Sequence, residues 1–183
     1  MKKLSFFGNL GLTMFSKPVE NRLIYKMIKQ QQLQSFVEVG LGDGSRFEKM
    51  IQVAHTYSQS ESLRYTGVDL FDARETPAQP LKLIEMHKRM KALPAKTQLV
   101  PGELGPAIQR IANSHLRTDL VIISAGFEPA DFERALRFIP RMMHSSSTLL
   151  VQRNTGAAFE VLNRLEVERL VNEQPKQRAT KAA

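Results

Sequence analysis

Short apolar runs alternate with longer stretches of helical period along this chain, which predicts strands alternating with helices and a parallel sheet. Residues 19–32 carry Leu23, Ile24, Met27 and Ile28 on one helical face. Residues 35–39 (Ser-Phe-Val-Glu-Val) read as a first strand, which runs into the alternate glycines Gly40, Gly42 and Gly44. A helix over 45–58 follows, with Phe47, Met50, Ile51 and Ala54 facing inward. The pattern then predicts a strand over 64–70, a polar loop with two prolines over 72–80, a helix over 81–93, a strand over 97–100 and a helix over 105–114. Residues 119–124 hold a continuous apolar run, as in a central strand covered on both faces. A helix over 129–143, interrupted near Pro140, leads to a fifth strand over 147–152. A final helix over 157–172 carries Phe159, Leu162, Leu165 and Leu170. Right-handed crossovers place helices on both faces. The ligand crevice is then expected at the carboxyl ends of the strands, after Val39, Val68, Val100, Ile123 and Val151.

At 183 residues the chain suits one domain with a sizeable core. The expected organisation is a single domain over 1–174, with an N-terminal segment (1–18) and a leading helix (19–33), then a basic, disordered tail over 175–183. There is no cysteine, which excludes disulfides, zinc–thiolate sites and thiol nucleophiles and fits a cytoplasmic setting. No apolar run approaches the roughly 20 residues that span a bilayer. Gly8-Asn9 and Gly11 break up the apolar start, so no secretory leader is expected. The net charge of +8 raises nucleic acid as a partner, but part of it lies in the tail and no basic stretch is interleaved with aromatics. Nucleic acid is therefore the weaker reading.

The chemistry begins at the three glycines. At a strand-to-helix turn they permit a tight bend and let a ligand touch the backbone, beside the free N–H groups of the following helix. A dinucleotide turn needs G-x-G-x-x-G, whereas the spacing here is G-x-G-x-G with Ser45 at the third place. Glu38 sits two residues before Gly40, and Asp43 lies inside the turn. Carboxylates disfavour a pyrophosphate and favour an ammonium or sulfonium. A zwitterionic amino acid bearing a sulfonium fits this mixture better than NAD.

The run Phe36-Val37-Glu38-Val39-Gly40-Leu41-Gly42-Asp43-Gly44 resembles the first motif of class I S-adenosylmethionine-dependent methyltransferases, E/D-x-G-x-G-x-G. Gly67-Val68-Asp69 is similar to the end of that family's second strand, whose acid binds both ribose hydroxyls. Asp69 follows Gly44 by 25 residues, near the roughly 20 expected for a ribose acid. The resemblance spans residues 36–154. It implies a three-layer Rossmann-like α/β fold with a mostly parallel sheet of about five strands in the order 3-2-1-4-5. It also implies S-adenosylmethionine as cofactor and a small-molecule methyl acceptor. The cofactor-binding residues it implies are Glu38, Gly40, Leu41, Gly42, Gly44, Asp69, Leu70, Glu103, Leu104 and Ser124. Glu103 stands either at the adenine amino group or as an acid at the next helix N-terminus. Phe71 stands either against the adenine or in the core.

The chain also departs from the family. Ser124-Ala125-Gly126-Phe127 stands where many members carry an acidic or asparagine-type residue, and no catalytic residue is assigned. Arg153-Asn154 replaces the Asp-Asn pair of the magnesium-dependent enzymes, which argues for a metal-independent site. Arg153 either orients an anionic substrate or is a surface arginine beside a turn. None of the four scattered histidines is placed to serve as a base, and no two sit at metal-ligand spacing. The family's sixth and seventh strands have no counterpart in this reading. The edge beside the fifth strand then needs the last helix or a second copy of the chain, a homodimer, to cover it. A non-catalytic protein of the same fold, acting as a binding or structural partner, is the alternative function.

Overall fold

Residues 35–39 and 118–123 are buried almost throughout, as expected of inner strands, and the helices lie along both sides of the sheet that they centre. The computed structural model describes residues 16–58, 62–74 and 81–174. Within them the chain runs α1 (Asn21–Gln31), β1 (Ser35–Val39), α2 (Ser45–Tyr57), β2 (Arg64–Asp69), a 3-10 turn (Phe71–Ala73), α3 (Leu83–Lys91) and β3 (Lys96–Pro101). It continues through α4 (Leu104–Ile111), β4 (Thr118–Ile123), α5 (Pro129–Leu136), α6 (Ile139–Met142), β5 (Met143–Val151), β6 (Glu160–Asn163) and α7 (Arg164–Glu173). The expected N-terminal segment, for its first 15 residues, and the expected disordered tail lie outside the described residues.

The sheet has the order β3-β2-β1-β4-β5-β6, parallel except at the β5–β6 pair. The strand order thus reverses between β1 and β4, the parting at which α/β sheets leave a crevice. Alternate strand residues serve two cores. Phe36, Tyr65, Leu120 and Leu150 pack with α1, α2 and α3. Val37, Val68, Val121 and Leu149 pack with α4, α5, α6 and α7.

The five-strand order 3-2-1-4-5 is present, and the sheet continues by one strand that the periodicity does not announce. β6 lies where the sequence suggests the opening turns of the last helix. It pairs Leu149 with Leu162 and Leu150 with Val161. Asn163 is the reason the helix starts late. Its side chain accepts from the Glu166 N–H at 3.0 Å, while the Glu166 carboxylate accepts from the Asn163 N–H at 2.7 Å. This reciprocal cap fixes the start of α7 at Arg164. The edge of β5 is therefore covered by the chain's own β6. The expected break near Pro140 falls between α5 and α6, and β5 begins at Met143, four residues before its expected start.

At the amino ends of the strands, Asp119 ties β1 to β4. Its Oδ2 accepts from the Gln34 and Ser35 N–H groups, each at 2.8 Å, and its Oδ1 lies 2.9 Å from His144 Nε2. Burial alone would raise the carboxyl, but the Gln34 and Ser35 N–H donors and His144 outweigh it and hold it below the usual carboxylate range. A depressed folded value means that the unfolded chain binds the proton more tightly. The stabilisation is thus full above the unfolded value of about 3.9 and is lost as pH falls through the folded value. Asp119→Asn is expected to lower stability at neutral pH by about 1–3 kcal/mol. It should also flatten the acid limb of stability below about pH 4, as read by urea unfolding across pH. An unchanged acid limb would contradict this role.

Candidate functional site

After β1 the chain turns through Gly40, Gly42 and Gly44, with φ of +76°, +60° and +71°, and enters α2. That backbone region is strained for residues with a side chain. At Gly40 an added Cβ would lie 3.1 Å from Ser124 Cβ, so the glycine lets the ends of β1 and β4 approach. At Gly42 no heavy atom lies within 4 Å of the Cβ position, and the residue borders open space. The turn is pinned from both neighbouring strands. The Gly40 N–H donates to Val68 O at 3.0 Å, and the Ser124 N–H donates to Val39 O at 2.9 Å. The Leu41 N–H donates to Asp69 Oδ2 at 2.8 Å.

The turn borders a crevice of about 890 Å³ at the carboxyl ends of β1, β2, β3 and β4, where the strand order parts. This lies within the roughly 300–1,000 Å³ common for small-ligand sites. Of the expected site residues, Gly40, Leu41, Gly42, Asp69, Leu70, Glu103, Leu104 and Ser124 line it. Glu38 and Gly44 do not. Gly44 backs onto α3, where an added Cβ would lie 2.9 Å from Met86 Sδ and from Arg89 Nη1.

Glu38 is displaced by the two-residue period of its strand. It shares a face with Phe36 and points beneath α2, fully buried. Arg46 reaches back to it from the first turn of α2. Arg46 Nε donates to Glu38 Oε1 at 2.7 Å, and the Tyr65 hydroxyl donates to Glu38 Oε2. Arg46 Nη2 also donates to Gly40 O at 3.1 Å and to Ser124 Oγ at 2.5 Å. Burial disfavours the Arg46 cation, yet the Glu38 carboxylate outweighs burial and moves its pKa upward. Burial and the same carboxylate push the Tyr65 phenol well up. The charge expected beside a sulfonium is thus neutralised inside the protein. Glu38 holds Arg46, which does line the crevice.

Asp69 is positioned as expected but is already occupied. Besides Leu41 N–H it accepts from the Phe71 N–H at 3.0 Å, and Arg74 forks onto both of its oxygens. Burial would raise this carboxyl, but Arg74 and the two N–H donors hold it below the usual range. The bond to Asp69 fixes Phe71 at φ +51°, a strained region for a bulky residue. The Phe71 ring is buried in the core and does not line the crevice. Leu70 stays exposed on the wall beside Asp69. Glu103 is the N-cap residue of α4 but makes no side-chain cap bond, and it faces the crevice.

Further walls are Lys17, Pro18, Glu20 and Asn21 on one side, the Ser124–Glu128 stretch with Phe127, and Gln152 with Thr155. Asn21 Oδ1 lies 3.4 Å from Arg46 Nη1. Phe127 stacks on Phe132 at 5.1 Å. Arg153 does not line the crevice. It pairs with Glu160 at 3.0 Å and lies over the Phe132 ring at 4.5 Å. Among the described residues, no three His, Asp or Glu side chains converge to hold a metal ion, and no helix is long and apolar enough to cross a membrane.

No family model and no curated protein matches the sequence. Solved structures do. A protein from Staphylococcus aureus described as a caffeoyl-CoA O-methyltransferase is similar at 10% identity and a TM-score of 0.54. The match covers 91% of this chain and 76% of that one. A methyltransferase of Podospora anserina, solved with S-adenosylhomocysteine, is similar at 11% identity and a TM-score of 0.53. There the match covers 75% of this chain and 53% of that one, so this chain spans about half the length of that relative. A TehB-like S-adenosylmethionine-dependent methyltransferase from Corynebacterium glutamicum is similar at 20% identity and a TM-score of 0.50, covering 90% and 78%. At such identities the likeness is one of fold: the chain has the Rossmann-like fold of the class I S-adenosylmethionine-dependent methyltransferases.

Proposed function

We propose that the chain binds S-adenosylmethionine in the crevice beside Gly40–Gly42 and transfers its methyl group to a small-molecule acceptor. The observation that carries the reading is the bare backbone at Gly42, which borders the crevice with nothing near its Cβ position. Such a position suits the methionine portion of a ligand lying against the main chain. Asp69 lines the crevice 25 residues after Gly44, near the spacing of a ribose acid, Leu70 and Leu104 offer apolar surface to a base, and Glu103 offers an acceptor to its amino group. The bound cofactor supplies an already activated methyl group on a sulfonium. What the chain contributes is in-line positioning and exclusion of water. The acceptor side is the wall formed by Asn21, Arg46, Phe127, Gln152 and Thr155. A general base is needed only for an acceptor that holds its proton at the working pH.

A second reading, cofactor binding without turnover, is favoured by one contact. The Ser124 hydroxyl, where many relatives carry an acid or amide, is engaged by Arg46. Turnover of S-adenosylmethionine with a labelled methyl group separates the two. Transfer of label to small acceptors is expected. Binding without transfer to any acceptor would favour the second reading, and no binding would remove both.

A further inference from the structure

Asp69 carries the ribose half of the proposed function, yet its carboxylate is already complete. An ionised carboxylate offers about four acceptor sites. Oδ2 receives the Leu41 N–H at 2.8 Å and Arg74 Nη2 at 2.6 Å. Oδ1 receives the Phe71 N–H at 3.0 Å and Arg74 Nε at 2.7 Å. The two backbone donors shape the turns after β1 and β2. The other two donors belong to a side chain, the Arg74 guanidinium. Arg74 Nη1 also donates to Gly42 O at 2.9 Å, so the guanidinium bridges the end of β2 and the glycine turn along the crevice wall. A planar fork and a vicinal diol both present two donors to one carboxylate. With two backbone N–H groups fixed, Asp69 serves one or the other.

We propose that Arg74 is an internal competitor for the nucleoside diol: it holds Asp69 in the free protein and yields that carboxylate when the ribose hydroxyls bind. The inference rests on the adenosyl-ligand reading above and adds the residue that sets affinity within it. Binding must break a bidentate ion pair in which Asp69 is nearly buried and Arg74 is one-fifth exposed. Apparent affinity falls by the work of that exchange. When product dissociates, Arg74 reoccupies the acid and opposes rebinding. The competition acts only through the two hydroxyls, so a ligand without them leaves Arg74 in place.

The test is calorimetric titration of the wild-type chain, Arg74→Ala and Arg74→Lys with S-adenosylhomocysteine and with its 2′,3′-dideoxy analogue. Arg74→Ala is expected to bind S-adenosylhomocysteine about tenfold tighter or more. Arg74→Lys, a point charge without the fork, should fall between it and the wild type. The dideoxy analogue should bind all three proteins equally. Unchanged or weaker binding of S-adenosylhomocysteine by both variants would overturn the proposal and leave the function standing. So would an equal gain for the dideoxy analogue. If Arg74→Ala fails to fold, Arg74→Lys carries the comparison. If no folded variant and no wild-type protein binds either compound, the adenosyl reading falls and Arg74's role with it.

Discussion

Arg46→Ala is expected to lower the unfolding free energy by about 3–5 kcal/mol, a drop of about 6–20 °C in melting temperature for a chain of this size. The reason is Glu38, which is fully buried between β1 and α2. Arg46 is its ion-pair partner at 2.6 Å, and the Tyr65 hydroxyl alone cannot balance a buried negative charge. Removing one member of such a pair is far worse than removing both. Glu38→Gln with Arg46→Met keeps an acceptor for Tyr65 and removes both charges. It is expected to recover much of the loss. Thermal and denaturant unfolding of Arg46→Met, Glu38→Gln and the double variant, beside Arg46→Ala, would show this directly. A single variant no less stable than the double would mean that the pair is not what holds Glu38 in place. Arg46 also bonds Gly40 O and Ser124 Oγ, so the same change should loosen the join between β1 and β4 on which the crevice rests.

Gly42→Val should do the opposite: leave the fold standing and remove the ligand. The added Cβ has no protein atom within 4 Å, so the expected stability loss is chiefly the strain of a β-branched residue at φ +60°, about 1–3 kcal/mol. Gly42 lines the crevice, and the isopropyl group is expected to enter it where the ligand should touch the backbone. An affinity loss of about a hundredfold or more is expected, as for a steric block at a backbone contact. Ligand-dependent melting reads both effects. S-adenosylhomocysteine at about 100 times its Kd should add about 2.7 kcal/mol to the wild type and almost nothing to Gly42→Val. Equal stabilisation of both proteins would move the ligand away from this turn.

The layered fold was legible in the sequence because its strands are local objects. Each apolar run of five or six residues sits between a glycine or polar turn and a helical period, as at 35–39 and 118–123. β6 was not legible by period, since Val161 and Leu162 fit a helix as well as a strand. The pair Asn163 and Glu166 was the readable sign that the helix starts later. Gly40, Gly42 and Asp69 at the crevice are readable because their spacing is set by one turn and one neighbouring strand, whereas Gly44 faces α3. Charge alone puts Glu38 beside the ligand, whereas strand alternation turns it away from the crevice. Counting from Phe36 puts it on the α2 face. Arg46 and Arg74 carry no pattern of their own. Their roles exist only after folding brings them to Glu38 and Asp69, 8 and 5 residues away in sequence but across a turn in space.

Direct titration of the wild-type chain with S-adenosylhomocysteine, followed by calorimetry, tests the central claim most simply. One saturable site per chain is expected, with the heat abolished by Gly42→Val in a protein that still unfolds cooperatively. A folded wild-type chain that takes up no S-adenosylhomocysteine at millimolar concentrations, or binds it equally well with valine at position 42, would contradict the account.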